Sequence, residues 1–364
     1  MRFYTFLFLI FPLFSWAQSE VDSILLSSEN QFRDSIAAIN LAAEQQQFLE
    51  ENFNAATEFM NNEDYINAIK SLNQVLRIDS TYIDAFYNRA ICNRELNNFT
   101  QTITDFNTVF RLDSTRTDAL YEQAVYYMDN NYTKEAEQLF TQILVLVPHE
   151  FGSAYKLGVL YYLQNKYSSA IAIFSEILSY HPHHSYALHD RGSCYRLMGE
   201  IDKAEKDYLA AIDLDPSFSF MYNNLGAIYK LKGMYAEALE AFNSAISMDL
   251  SNPAYYNNRG SLYYEQENFQ DAFKDFEKAL DLNPQYALAL CNRAAIYQIR
   301  EQYGAALADL NKACEIDNLN PSFLLNRGIT KEMLRDEEGA CEDWNNAGEL
   351  GLQEGKTYYI NNCE

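Results

Sequence analysis

Glycine and proline are scarce in this chain, 13 and 7 among 364 residues. So few breaks leave no linker of the kind that separates compact domains, and they favour one continuous architecture. Basic residues are outnumbered too, with 27 Lys and Arg against 51 Asp and Glu, a formal net charge of −24. A chain so acidic, with no basic run and no aromatic-basic patch to offset it, repels nucleic acid and anionic lipid, so neither is expected as a partner. Cysteine is sparse, six residues with no CxxC pair, which excludes a disulfide framework, a zinc ribbon and a dithiol redox centre as the basis of the fold. Cys341 and Cys363 are close in sequence near the C-terminal end. A bridge between them, stapling the last helix, is an open expectation. The signatures of catalysis are missing as well. There is no Gly-rich phosphate loop with Lys, no nucleophile elbow, no His-Glu-x-x-His and no calcium loop. No catalytic, cofactor-binding or metal-ligating residues are expected, and the chain reads as a non-enzyme.

Long apolar runs are absent except at the start, where Arg2 precedes the run from Phe3 to Phe14 and then Ser15-Trp16-Ala17. Small residues stand at the −3 and −1 places of a cut before Gln18, so 1–17 reads as a cleavable secretory signal. The run is too short to span a bilayer comfortably, and no stable membrane insertion of the mature chain is expected. An uncleaved signal acting as an anchor is the competing reading. Cleavage leaves 26 basic against 51 acidic groups, a net −25, on a protein expected to be exported to the periplasm or beyond the cell.

What is present is a repeat. Small residues recur every 34 positions, at Ala56, Ala90, Ala124, Gly158, Gly192, Gly226, Gly260, Ala294 and Gly328. Taking this as position 8 divides 49–354 into nine units without an insertion. A second small residue falls at position 20, alanine in all units but the second, where it is Thr102. The two positions belong to successive helices joined by a short turn, such as Asn97-Asn98 or Gly233, and such helices pack closely only where side chains are small. Aromatics fill the remaining space. Position 11 supplies Tyr127, Tyr161, Tyr195, Tyr229, Tyr263 and Tyr297, and position 24 supplies Phe106, Phe140, Phe174, Tyr208, Phe242, Phe276 and Trp344. At this helical spacing both sets read as core. Pro148, Pro182, Pro216 and Pro284 at position 32 end the second helix. One such hairpin cannot bury its apolar stripe alone, so neighbours must stack.

These residues carry a resemblance. The sixth unit, with Tyr222, Leu225-Gly226, Tyr229, Ala238 and Phe242, resembles the tetratricopeptide repeat, and Pro216 and Pro284 extend the likeness to its neighbours. The resemblance implies an all-α fold, a right-handed superhelical solenoid of tandem antiparallel helix pairs. It also implies that the first helices line a concave groove that binds a protein or peptide segment. Single units depart from the pattern, with Asn93 and Thr102 in the second and Lys331 for tyrosine in the ninth.

Two charge patterns separate scaffold from groove. Arg stands at position 7 in five units, as Arg89, Arg191, Arg259, Arg293 and Arg327, and Asp stands at position 23 in those same five, as Asp105, Asp207, Asp275, Asp309 and Asp343. The four units without Arg carry Ser71, Leu139, Ile173 and Ala241 instead of Asp. Partners gained and lost together read as a partly buried ion pair tying the two helices of a unit, because a buried charge left alone is costly.

Position 6 is asparagine in six units, including Asn88, Asn224, Asn258, Asn292 and Asn326, with Asp190 a near match. Asparagine is a mediocre interior helix residue, so its recurrence calls for a cause. Either the amides hydrogen-bond the backbone of an extended ligand, or they form a polar ladder between neighbouring helices. Position 5 is aromatic early, as Phe53, Tyr87, Tyr121, Tyr155 and His189, and then reads Asn223, Asn257, Cys291 and Leu325, a more polar second half. The expected peptide-binding groove is therefore Tyr87, Asn88, Tyr121, Tyr155, His189, Asn224, Asn258, Asn292 and Asn326. The family's carboxylate clamp does not map, because no unit has Lys at position 5 or Arg at position 6. His181, His183 and His184 cluster in a turn between units, but no carboxylate or cysteine completes a metal-ligand spacing there.

The flanks read as covers for the array. Residues 18–48, with Leu25, Phe32, Ile36 and Ile39 at helical spacing, suit a capping helix or a dimerisation helix, and 355–364 suit a short C-terminal capping helix. The expected function is a protein-protein interaction scaffold within an envelope or secretion assembly. A self-associating structural protein and a non-catalytic helper subunit tethering an enzyme are the alternatives.

Overall fold

The computed structural model describes residues 10–363, and side chains from Leu26 onward. Residues 1–9 of the expected signal lie outside the described residues, and the backbone is helical from Ile10. Every regular element among the described residues is an α-helix, as the 34-residue pattern predicts. The chain forms two compact units, one through Ser153 and one from Ala154.

The first unit contains α1 (Ile10–Asn61), α2 (Tyr65–Ile78), α3 (Ile83–Glu95), α4 (Phe99–Leu112), α5 (Thr117–Asp129) and α6 (Thr133–Leu146). Helix α7 (Phe151–Leu163) starts at its end and lies mostly in the second unit. That unit continues with α8 (Tyr167–Tyr180), α9 (Ser185–Leu197), α10 (Ile201–Leu214), α11 (Ser219–Leu231), α12 (Tyr235–Met248) and α13 (Pro253–Glu265). It ends with α14 (Phe269–Leu282), α15 (Ala287–Ile299), α16 (Tyr303–Ile316), α17 (Pro321–Met333), α18 (Glu337–Glu349) and α19 (Gln353–Cys363). Within each unit odd-numbered helices pack on the even-numbered ones after them, as α3 on α4 and α11 on α12, and successive pairs stack, as α4 on α5 and α12 on α13.

The turn inside each pair has one chemistry throughout. Position 15 is left-handed in all nine repeats, at Glu63, Asn97, Asn131, Asn165, Gly199, Gly233, Glu267, Glu301 and Arg335. The next amide closes back onto the carbonyl of position 11, as Asn98 N onto Asn93 O and Met234 N onto Tyr229 O at 2.8 and 2.9 Å. This satisfies a carbonyl that the helix end would otherwise leave unpaired. Six of the turns between pairs use an Asp or Asn at position 31, whose Oδ1 accepts from the amide two residues on. Ser217 N donates to Asp215 at 3.1 Å and Ser251 N to Asp249 at 2.9 Å.

Inside each pair, position 8 lies against position 24. A Cβ on Gly226 would sit 2.8 Å from the Phe242 ring, and one on Gly260 would sit 2.7 Å from Phe276, so these glycines are set by close approach. The position-24 aromatics are fully buried. The position-11 tyrosines join the core at its edge, with Tyr195, Tyr229, Tyr263 and Tyr297 packed against its buried residues. They are half-buried, and three stand beside the position-7 arginine one turn earlier, with Arg191, Arg259 and Arg293 at 5.8–5.9 Å from the rings of Tyr195, Tyr263 and Tyr297. A tyrosine whose flank is a guanidinium needs its hydroxyl end near solvent.

All five position-7 arginines grip their position-23 aspartate in a fork, Nε to Oδ2 and Nη2 to Oδ1. In Arg259–Asp275 both bonds are 2.8 Å, and in Arg191–Asp207 they are 2.7 and 2.8 Å. Three of the arginines also reach the preceding pair, Arg89 to Asn73, Arg191 to Ser175 and Arg259 to Asn243. One planar side chain thus ties three helices together. In the third repeat Gln123 replaces Arg and keeps the backward link, to Asn107 at 3.2 Å, while its Oε1 is buried without a partner.

The two ends differ from one another. Helix α1 is a single helix of 52 residues; from Leu49 it packs on α2, but every side chain from Leu26 to Phe48 is exposed. The expected capping role for 18–48 is not met by the described side chains, since Phe32, Ile36 and Ile39 face solvent. The cause is legible: no Gly or Pro stands between Gln18 and Asn61, so nothing breaks the helix and lets it fold back. At the other end α19 packs on α18, with Tyr358 5.1 Å from Trp344, and Cys341 is bridged to Cys363 across a Cα separation of 5.8 Å. The other four cysteines are buried thiols.

Candidate functional site

The expected groove residues fall into both units. Tyr87, Asn88 and Tyr121 belong to the first, and Tyr155 through Asn326 belong to the second. In the first unit Tyr87 packs edge-on against Phe106 at 5.8 Å, under the Arg116 guanidinium at 5.1 Å. Asn88 is half-buried. Tyr121 packs against Phe140 at 6.1 Å and lines a hollow of about 290 Å³ with Asp118, Glu122 and Glu150. Those carboxylates are engaged: Asp118 pairs with Arg116, Glu122 pairs with Arg94, and Glu150 caps α7 through the amides of Gly152 and Ser153.

In the second unit positions 5 and 6 form one continuous device. From Asp190 onward each position-6 side chain bonds the position-5 side chain 35 residues earlier, on the preceding first helix. Tyr155 Oη donates to Asp190 Oδ2 at 2.6 Å, and Asn224 Nδ2 meets His189 Nε2 at 2.8 Å. Asn258 donates to Asn223 and Asn292 to Asn257, each at 2.9 Å, and Asn326 donates to Cys291 Sγ at 3.2 Å. Within one rung His189 Nδ1 lies 2.9 Å from Asp190 Oδ1. Because Asn224 donates to Nε2, the neutral ring carries its proton on Nδ1 and donates it to Asp190. Burial, then the Asp190 charge, push the Tyr155 phenol well above its ordinary value, which keeps it protonated as a donor.

Of the two readings of the asparagines, the interhelix ladder is therefore the one built: their amide nitrogens join α9, α11, α13, α15 and α17. The amide oxygens of Asn224, Asn292 and Asn326 accept no hydrogen bond from the described residues. The ladder thus presents a row of acceptors beside a row of interhelix bonds. Among the histidines, His189 is part of the ladder and His184 caps α9 by accepting from Ala187 N at 3.0 Å. Among the described residues no three His, Cys, Asp or Glu side chains group to hold a metal.

Other residues on these helices escape the sequence reading. Tyr186, Phe218 and Phe220, from positions 2 and 34, form a half-exposed aromatic group, with Tyr186–Phe218 at 4.9 Å and Phe218–Phe220 at 5.5 Å. Phe220 also meets His189 edge-on at 4.8 Å. At position 13 a row of large aliphatics is exposed, Leu163, Leu197, Leu231, Ile299 and Met333. Tyr186 and Phe220 are 34 residues apart and the position-13 row recurs at the same period, which is the signal that reveals them.

The repeats match known ones. Residues 185–218, 219–252 and 253–286 match the tetratricopeptide repeat, as do 153–184 and 276–308, so 153–308 is an array of tetratricopeptide repeats. The fold is similar to a tetratricopeptide repeat protein from Parabacteroides merdae, with 20% identity over 68% of this chain and 99% of that one, and a TM-score of 0.58. It is also similar to a chain of the APC/C hetero-tetramer Cut9-Hcn1, with 14% identity over 87% of this chain and 76% of that one, and the same TM-score of 0.58. No curated protein matches.

Proposed function

We propose that this protein is a non-enzymatic protein-interaction scaffold that binds a protein or peptide segment along the face of its first helices, exported and working within an envelope or secretion assembly. The observation that carries the reading is the array of tetratricopeptide repeats at 153–308, because stacked repeats of this kind build long surfaces for protein and peptide ligands. Support for the face comes from the ladder, whose amide oxygens suit ligand N–H groups, and from the aromatic group at Tyr186, Phe218 and Phe220, whose rigid rings suit apolar anchors. The apolar run ahead of Ser15-Trp16-Ala17 supports export. No helix among the described residues is long and apolar enough to cross a membrane.

Crosslinking in the native envelope followed by mass spectrometry tests the reading, comparing wild type with a folded Tyr186→Ala/Phe220→Ala variant. A protein captured by the first and lost from the second supports it. Equal capture by both, or capture of nothing, removes the first-helix face as the site.

A second reading rests on α1. Its exposed Leu26, Phe32, Ile36, Ile39, Leu41 and Phe48 are an apolar surface that a second copy would cover. Light scattering at the mass of one chain would dismiss self-association.

A further inference from the structure

One rung of the ladder differs from its neighbours in being able to change charge. In the rungs Asn258–Asn223 and Asn292–Asn257 an amide nitrogen donates to an amide oxygen, at 2.9 Å each. Neither partner titrates, so these bonds keep one polarity at any pH near neutral. In the rung between α9 and α11 the acceptor is instead the Nε2 of His189, 2.8 Å from Asn224 Nδ2. Histidine is the side chain whose ordinary titration falls between about pH 5 and about pH 8.

The surroundings of His189 suit either state of the ring. It is buried, with 8% of its surface exposed. Asp190 Oδ1 lies 2.9 Å from Nδ1, and the other carboxylate oxygen accepts from Tyr155 on α7 at 2.6 Å. On α10 the Tyr208 ring is 5.4 Å away, and on α11 the neutral Phe220 meets the imidazole edge-on at 4.8 Å. His184, at the start of α9, shares the field of Asp190. Among these neighbours Asp190 is the one anion. It favours a charged ring, whereas burial and the Asn224 donor oppose one.

A proton on Nε2 turns that atom into a donor facing the Asn224 NH2, which is a donor too. Half a turn of the Asn224 amide about its last bond removes the conflict. The amide oxygen then accepts from Nε2–H, the charged ring donates to Asn224 and Asp190 together, and the NH2 takes the place that the oxygen held. Both arrangements leave the ring nitrogens fully bonded, so the rung has two self-consistent states selected by one proton.

We infer that His189 is a proton-operated switch of the binding face: protonation at Nε2 turns the Asn224 amide over, so that one acceptor in the row offered to a ligand becomes a donor. The inference rests on the proposed first-helix face and adds its regulation by acid. A ligand N–H held by the Asn224 oxygen above the transition meets an NH2 below it, and the hold weakens by about tenfold. Asn292 and Asn326 keep their acceptors throughout, because their partners Asn257 and Cys291 gain no proton on acidification.

Full-length protein labelled with ¹⁵N at histidine and asparagine is titrated by NMR from about pH 8 to about pH 5. The expected result is that the His189 ring nitrogens and the Asn224 side-chain NH2 shift with one shared midpoint, while the NH2 groups of Asn258 and Asn292 hold still. In His189→Asn, which copies the position-5 chemistry of Asn223 and Asn257, the Asn224 signal no longer responds. A ring that stays neutral across the range, a ring that titrates without moving the Asn224 NH2, or an equal movement at Asn292 would overturn the inference. Crosslinking in the native envelope on either side of the midpoint reads the consequence. Capture falls about tenfold on acidification in wild type and stays level in His189→Asn. Level capture in both overturns the switch as a control of binding. Absence of capture at every pH removes the binding face itself, a failure that the NMR titration tells apart from failure of the switch.

Discussion

The helix pair α9/α10 and the pair that follows it, α11/α12, solve the same packing problem with opposite chemistry. At positions 7 and 23 the first holds Arg191 and Asp207 in a fork at 2.7 and 2.8 Å, and the second holds Leu225 and Ala241, both buried. Fold, turn and spacing are otherwise shared. The difference teaches that the ion pair is one of two self-consistent fillings of this place. Its partners appear together because either alone would bury an unmet charge.

The largest effect expected is from splitting the pair. Arg191→Met or Asp207→Ala alone costs about 3–5 kcal/mol in urea unfolding, since each leaves a charge with little solvent and no counter-charge. The double variant Arg191→Leu/Asp207→Ala copies the residues of α11/α12 and recovers all but about 1 kcal/mol. A double variant no better than the worse single one would show that the pair does more than fill space and balance charge.

Next comes the crossing of the two helices in each pair. Gly226→Ala puts a methyl 2.8 Å from Phe242, and about 1–3 kcal/mol is lost; Gly192→Ala, where the nearest Tyr208 atoms are 3.1 Å away, loses less. Thermal melts of the two variants give the order. The turns come third. Gly199 and Gly233 suit the left-handed position 15, whereas Glu267 holds φ of 59° there with a side chain. Glu267→Gly gains about 0.5–1 kcal/mol and Gly233→Ala loses a similar amount, read from denaturant midpoints.

Smallest is a pH effect common to both pairs. Asp215 after α10 and Asp249 after α12 are held below the usual carboxylate range by the hydroxyl, then the amide, of Ser217 and Ser251. A carboxyl lowered in the folded state stabilises it above the ordinary value, and that contribution fades as pH falls through the lowered one. Melts from about pH 5 to about pH 2 should therefore show a shallower decline in Ser217→Ala/Ser251→Ala than in wild type.

Much of this was legible because the array repeats. A 34-residue phase fixed by Ala56 through Gly328 locates every helix pair, and the shared presence of Arg259 and Asp275 reveals a bond between side chains 16 residues apart. The C-terminal bridge was half legible from the closeness of Cys341 and Cys363. What the sequence hid is direction. Asn224 at position 6 does not declare whether its amide turns to ligand or to His189, because both readings require the same residue. Tyr195 and Tyr208 look alike as periodic aromatics, yet one flanks a guanidinium and the other is sealed in the pair. Helix α1 was read by its apolar spacing at Phe32 and Ile39, when its lack of any breaker up to Asn61 was the stronger fact.

The central claim is that the first-helix face recognises a partner while the ion pairs hold the scaffold. Photo-crosslinking most directly tests it, with p-benzoylphenylalanine placed in turn at Leu197, at Leu231 and at the exposed Glu240 on α12. The account predicts that one and the same protein is captured from Leu197 and Leu231 and not from Glu240. Capture from Glu240 alone, or equally from all three, would contradict it.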